Sequence, residues 1–225
     1  QIGGMLDRLG MKSQFVDGLR VTDSDTLDIA RMVLVGKVNR DIVSSINIHG
    51  PLAVGISGED AGLINAKSHS KELGFVGEVQ DVNPSLIEGL LKEGHIPVIS
   101  SIGADGNGQS YNINADTVAS SLATALKAKR IIYLTDIEGL RADMENPESH
   151  ISKITTSNLK EMIESGTISG GMIPKAKACL EAIDAGVGSA HMIDGRVPHV
   201  ILLELFTDSG IGTMVLPDQE NENVT

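Results

Sequence analysis

The stretch YNINADTVAS (111–120) places Asn112, Asn114 and Asp116 just ahead of an apolar run. In an extended segment Asn112 and Asn114, separated by Ile113, turn their amides the same way. An amide carries donors and an acceptor, which suits an acyl or amide group on a ligand at a strand end. The local alternative is that Asn114 caps the following helix and Asp116 complements its dipole. That alternative leaves Asn112 over. GGMIPK (170–175) leads a glycine-rich turn into a helix with Lys175 in its first turn. Cations are disfavoured there because the helix dipole is already positive, so the lysine makes sense beside an anion. A solvated surface lysine is the competing reading.

DGLRVT (17–22) sets Arg20 on a hairpin, where a planar guanidinium can grip a carboxylate with two hydrogen bonds or stand exposed. LTDIEGL (134–140) puts Thr135 and Asp136 directly after a buried strand. There a hydroxyl and a carboxylate could meet a ribose, an adenine or a magnesium-bound water, or form a turn. GIGT (210–213) lies before the last strand, as a turn or a small-ligand nest. The chain has no G-x-x-x-x-G-K-[ST] and no G-x-G-x-x-G after a strand. Its six histidines show neither metal-ligand spacing nor a Ser/His/Asp or Cys/His arrangement.

These residues need elements to hold them. Asp17-Gly18, between short apolar/polar alternations in 14–22, predicts a hairpin. From Ser24 to Ile48 the apolar residues recur at three- and four-residue steps, which predicts a helix. Strands are predicted at 51–57, 95–102, 130–134, 189–193 and 211–216, with a short strand pair at 74–79. Helices are predicted at 83–94 (Asn83 as N-cap, Pro84 in the first turn), from 115 to about 129, and at 157–166, 172–186 and 197–206. The opening QIGGMLDRLG starts as though mid-helix, with an N-terminal piece missing, and the polar tail 218–225 is expected to fray.

This alternation predicts an α/β fold, a three-layer αβα sandwich around a mainly parallel sheet. One domain is expected over 1–217, its two lobes flanking a cleft and dividing near 116. Ligands of such sheets lie beyond the carboxyl ends of the strands, which points to loops 57–62, 103–116, 135–143 and 194–196.

Composition narrows the partners. With 18 Lys+Arg against 30 Asp+Glu, the 225-residue chain has a formal charge of −12 and no basic stripe, a poor match to nucleic acid. Aromatics are 2%, so the core is aliphatic. No apolar run approaches the roughly 20 residues of a membrane span. The lone Cys179, set in KAKACLEAI, reads as a packed small residue inside a helix and agrees with a reducing, cytoplasmic setting.

Taken in order, DGLRVT (17–22), PVISSIG (97–103), NINAD (112–116), LTDIEGL (134–140), GGMIPKAKAC (170–179) and ELFTDSGIGT (204–213) resemble the amino acid kinase family over nearly the whole chain. The resemblance implies in-line transfer of the γ-phosphoryl of ATP to the side-chain carboxylate of N-acetyl-L-glutamate, an early step of arginine synthesis. Mg²⁺ would be bound through the nucleotide, with no metal held by the protein. Sister acceptors in the family are aspartate, glutamate, carbamate and UMP, and a non-catalytic arginine-binding relative is a further alternative.

By the same resemblance the N-terminal lobe holds the acceptor and the C-terminal lobe the nucleotide. Lys175 would stabilise the transferring charge, Asp116 would hold the catalytic lysines, Asn112 would contact the acetylglutamate and Arg20 would clamp its α-carboxylate. Thr135, Asp136, Gly139, Leu140 and Arg141, with Thr167, Ile168 and Ser169, would line the nucleotide pocket. HMIDGR (191–196) with ELFTDSGIGT resembles an arginine-binding region in which His191, Glu204, Gly210 and Gly212 surround the effector. Such members are homo-oligomers, dimers or hexamers. The family's opening K-x-G-G strand and later H-G-G-G turn are not in this sequence. The resemblance therefore implies an N-terminally incomplete kinase that, as given, binds poorly and turns over little.

Overall fold

Gly18, at φ 81°, turns the chain between two short antiparallel strands, as the Asp-Gly signal predicts. The computed structural model describes residues 1–16, 18–143, 146–168, 172–207 and 210–218, so Asp17 itself lies outside them. Contacts divide the chain into two compact units, Gln1–Ala125 and Leu126–Thr225. The division falls after α5 rather than near 116, because that helix packs on a strand of the first unit.

The first unit runs α1 (Ile2–Arg8), β1 (Phe15–Val16), β2 (Leu19–Arg20), α2 (Ser24–Arg31), a π-helical segment (Met32–Val38), α3 (Asn39–Asn47), β3 (Ala53–Ser57), β4 (Ile64–Ser68), β5 (Val76–Val82), α4 (Ser85–Lys92), β6 (Ile96–Ser100), β7 (Ile102–Ala104), β8 (Ser110–Ile113) and α5 (Ala115–Ala125). Asp23 caps α2 by accepting from the Thr26 amide at 2.8 Å. Strands β3 and β6 pair in parallel from Ala53↔Ile96 to Ser57↔Ser100, with α3 and α4 packed on them. Asn39, 2% exposed, reaches across both strands, donating through Nδ2 to the carbonyls of Val98 at 2.7 Å and Ile56 at 3.2 Å.

Strands β4, β5, β8 and β7 close into a small barrel. Here the structure corrects the sequence reading. The stretch 74–79 is not a strand pair: Val76–Val82 is one strand, partnered by β4, which has too few apolar residues to stand out. The single strand expected over 95–102 breaks into β6 and β7 at Ser101, where the chain passes from the parallel pair into the barrel. Asn83 acts one position further out than expected, accepting from the Ser85 amide and hydroxyl, and Pro84 takes the cap position. Helix α5 stops at Ala125, short of 129, and Lys127 turns the chain at φ 50°.

The second unit runs β9 (Ile131–Thr135), β10 (Leu140–Arg141), β11 (His150–Ile151), β12 (Lys153–Thr155), α6 (Thr156–Glu164), α7 (Met172–Asp184), β13 (Ala190–Asp194), α8 (Val200–Phe206) and β14 (Thr213–Leu216). The sheet order is β12-β14-β13-β9, with β13 parallel to β9, β14 antiparallel to β13 and β12 parallel to β14. Cys179 is buried in α7. Asp218, expected to fray with the tail, does not. Asp218 is pinned at the start of α6, accepting from the Thr156 and Ser157 hydroxyls at 2.8 and 2.6 Å and from the Ser157 amide at 3.2 Å. Those donors hold its carboxyl down at about 2, and 219–225 lie outside the described residues.

Replacing Asn39 by Ala removes the donor shared by the two parallel strands. Urea denaturation should show a loss of about 1–3 kcal/mol, the cost of leaving buried polar groups unpartnered.

Candidate active site

In the first unit Arg20 is half-buried on β2. Its guanidinium donates to Ser13 Oγ at 2.5 Å and stacks 4.5 Å over the Phe15 ring. Thr22, fully buried, links it to the asparagine strand. The Thr22 hydroxyl donates to the Arg20 carbonyl at 2.8 Å and accepts from Asn112 Nδ2 at 3.5 Å, across 90 residues of sequence. The backbone tightens the same junction. Thr22 N–H bonds Leu73 O at 3.0 Å, Phe75 N–H bonds Thr22 O at 2.7 Å, and Asn112 N–H bonds Phe75 O at 2.9 Å.

Gly74, at φ 67°, lies between these contacts, and a Cβ there would fall 2.3 Å from Thr22 O. Arg20 and Asn112 are thus brought together by Thr22 and Gly74, which the sequence reading missed. Their only signals were the threonine ending DGLRVT and the glycine opening GFVGEV.

The two asparagines part company. Asn114 is exposed and accepts from the Asp116 and Thr117 amides at 2.8 and 3.2 Å, so it is a helix cap. Asn112 is half-buried on β8. Asp116 is half-buried in the first turn of α5. Its carboxylate accepts no hydrogen bond among the described residues. Loop 57–62, expected at a ligand site, has its polar groups engaged locally. Asp60 accepts from the Ser57 amide at 2.7 Å, while Glu59 pairs with Arg31 at 3.0 Å and accepts from Ser110 at 2.6 Å.

In the second unit the loop after β9 borders a hollow of about 200 Å³ lined by Ile137, Glu138, Gly139, Arg141, Met172 and Arg196. Gly139 and Arg141 therefore share one hollow. Arg141 donates to Glu138 at 2.6 Å. Thr135 and Leu140 support the loop from below. The Thr135 hydroxyl is taken by backbone groups of Ile137 and Ile193 at 3.1 and 3.3 Å, and the Leu140 amide donates to Thr213 Oγ1 at 2.7 Å. Gly139, at φ 124°, passes where a Cβ would come within 2.7 Å of Thr213 Oγ1. Asp136 is exposed. Lys175 is half-buried in the first turn of α7, one turn past Met172. Thr167 contacts Ser165 at 3.0 Å and Ile168 is 2% exposed, while Ser169 lies outside the described residues.

The four residues read as an effector site do assemble, around a buried carboxylate. Glu204 Oε1 meets His191 Nδ1 at 2.7 Å, and Oε2 accepts from the Ile211 and Gly212 amides at 2.9 and 3.0 Å. Burial alone would push the Glu204 carboxyl up. The His191 hydrogen bond and the two amides outweigh it and bring the carboxyl below its usual range. His191 Nε2 continues to Ser189 Oγ at 3.0 Å, a serine–histidine–acid row not foreseen in the sequence. All three members are buried and the row ends on loop backbone, so it acts as a brace. Gly210 sits at φ 62°, where a Cβ would be 2.6 Å from Glu204 Oε2, and a Cβ at Gly212 would be 2.3 Å from Met192 O. An open hollow of about 610 Å³ lies beside Ser189, lined also by Lys129, Arg130, Gly188, Met214 and Leu216.

The sequence profile of the amino acid kinase family matches residues 1–194. The chain belongs to that family. Among amino acid kinases it is 52% identical over 220 residues to an acetylglutamate kinase of Nostoc sp. (strain PCC 7120), covering 97% of this chain and 74% of that one. It is 54% identical over 222 residues to an acetylglutamate kinase of Desulforamulus reducens, covering 97% and 77%. Solved structures share the fold. The smu.665 protein of Streptococcus mutans superposes with a TM-score of 0.81 at 27% identity, covering 96% of this chain and 82% of that chain. An N-acetylglutamate synthase from Neisseria gonorrhoeae superposes at 0.82 with 21% identity, covering 96% and 50%.

Gly74→Ala should strain the left-handed backbone against Thr22 and lower stability by about 1–3 kcal/mol in urea denaturation. Glu204 supplies a pH signature. Its folded carboxyl lies below the ordinary 4.5, so its contribution is present above that pH and is lost as pH falls through the depressed value. Denaturation series from pH 5 down to pH 3 should show that loss in the native chain. Glu204→Gln, which cannot titrate, should flatten it.

Proposed function

We propose that this amino acid kinase transfers the γ-phosphoryl of ATP to the side-chain carboxylate of N-acetyl-L-glutamate, forming an acyl phosphate for arginine biosynthesis. The extent of its identity with the two acetylglutamate kinases carries this reading. The Arg20–Thr22–Asn112 junction supports it chemically, since it ties the segment that carries a guanidinium to the strand that carries an amide, groups that suit an α-carboxylate and an acetamido group.

In this proposal Arg20 clamps the α-carboxylate and Asn112 holds the acyl group. Lys175 places its ammonium charge where the transferring phosphoryl spreads negative charge over its oxygens. Asp116 offers a carboxylate for orienting a catalytic lysine. The nucleotide occupies the hollow beside Gly139 and Arg141, with Asp136 and the 167–169 loop as further contacts. Mg²⁺ would enter on the phosphates and neutralise charge there. Among the described residues no group of three His, Cys, Asp or Glu side chains is placed to hold a metal.

Arginine is the proposed effector at the His191–Glu204 end, supported by the cationic rim of the hollow beside Ser189, which suits the α-carboxylate of an amino acid. A homo-oligomer and a cytoplasmic location complete the reading. Exposed Ile42, Ile48, Leu52 and Ile96 give the first unit apolar surface to cover, and no helix among the described residues is long and apolar enough to cross a membrane.

The protein expressed from its native reading frame should give ATP-dependent acyl phosphate, trapped as hydroxamate, with N-acetyl-L-glutamate. A signal only with aspartate or glutamate would overturn the acceptor assignment. Lys175→Ala should lower kcat roughly 10²–10³-fold with KM little changed, the effect of losing one charge-stabilising contact. Arg20→Ala should raise KM for acetylglutamate roughly 10- to 100-fold, the worth of a charged hydrogen bond.

A further inference from the structure

The hollow beside the 137–141 loop contains an arginine that the family resemblance leaves unassigned. Arg196 follows β13 in the 194–196 loop, one of the strand-end loops where ligands of α/β sheets collect. Its partner Asp194 is buried and accepts three hydrogen bonds from this one residue: from Nε at 2.8 Å, from Nη2 at 2.7 Å and from the backbone amide at 2.9 Å. The Gly195 amide donates to Thr135 O at 2.9 Å and fixes the turn to the end of β9. The Arg196 side chain is nevertheless 66% exposed. A buried acid therefore holds an open cation rigid by one edge. Nη1 has no hydrogen-bond partner among the described residues.

Charge and shape select what such a group would meet. Asp136 and Glu138 also act on Arg196, and Glu138 pairs with Arg141. Asp194, Asp136 and Glu138 thus offset and outnumber the two guanidiniums of the hollow, so a polyphosphate has little to gain there. The remaining lining, Ile137, Met172 and Gly139, is apolar or open. A flat, pre-oriented, charge-balanced guanidinium beside apolar side chains suits an uncharged aromatic ring. We propose that Arg196, held edge-on by Asp194, is the stacking platform for the purine base of the nucleotide. This inference rests on the reading of the hollow as the nucleotide site.

Calorimetry with ADP and ligand-observed NMR with adenosine, which carries no phosphate, test it on the native protein. Arg196→Ala should weaken both ligands by the same factor, roughly 3- to 30-fold, as expected for loss of one cation–π contact. Arg196→Lys, which keeps the charge but not the plane, should recover little. KM for the carboxylate acceptor should stay put, and unchanged circular dichroism melting would show that the fold survives. Weakened ADP with unchanged adenosine would mean that Arg196 serves the phosphates, and full rescue by lysine would mean that charge alone matters. Either result overturns the proposal, as does unchanged binding of both ligands. Native protein that binds neither ligand would overturn the nucleotide reading of the hollow as well.

Discussion

Many polar side chains taken into the interior of this protein are tied to backbone, and several of these ties fix where a neighbouring loop leaves its strand. No buried side-chain nitrogen or oxygen among the described residues lacks a hydrogen-bond partner. Thr22 joins the hairpin to the 73–75 segment and to β8. Thr213 carries the Leu140 amide and itself donates to Ile151 O at 2.6 Å, so one hydroxyl positions both β10 and β11. An aliphatic core supplies cohesion but little direction. With three Phe, two Tyr and no Trp, the chain relies on these short polar links to aim its loops.

The second unit shows what such aiming achieves. Strands β9 and β13 run parallel, so their carboxyl ends present the 135–141 and 194–196 loops together. Their amino ends present Lys129, Arg130, Gly188 and Ser189 around the other hollow. Two hollows of different lining therefore share the same pair of strands, separated by roughly 16 Å of extended backbone. His191 sits on the strand that joins them, with its ring bonded to a residue of α8.

Sequence pattern exposed the elements that repeat long enough to register. The Asp-Gly hairpin, the runs that became β9 and β13, and the amphipathic helices α6 and α7 were all legible. Strands β10, β11 and β12, of two or three residues, are shorter than any periodicity can show. Position was legible where residue type and local pattern coincide, as for Arg20 on its hairpin, Asn112 on a strand, and Gly139 and Arg141 in a strand-end loop. It was not legible where a role depends on a partner far along the chain. Only the resemblance set His191 and Glu204 around one site, and nothing in the residue pattern of HMIDGR or LLELF announces that they bond each other; nothing in VTDS announces that Thr22 reaches Asn112. Asn114 shows the converse, a motif residue whose role is entirely local.

The π-helical turns of Met32–Val38 sit between α2 and α3, and apolar steps of three and four residues do not distinguish them from ordinary helix. They end one residue before Asn39, the side chain that spans the parallel pair. Rewound as regular α-helix, the same segment would satisfy local propensity but turn further around the axis, because each α-helical residue advances more than a π-helical one. Everything beyond it would swing by roughly 100°, about one residue's turn, and the amide of Asn39 would face away from the sheet. The widened coil thus takes up one residue more than regular helix needs to bring Asn39 round in phase.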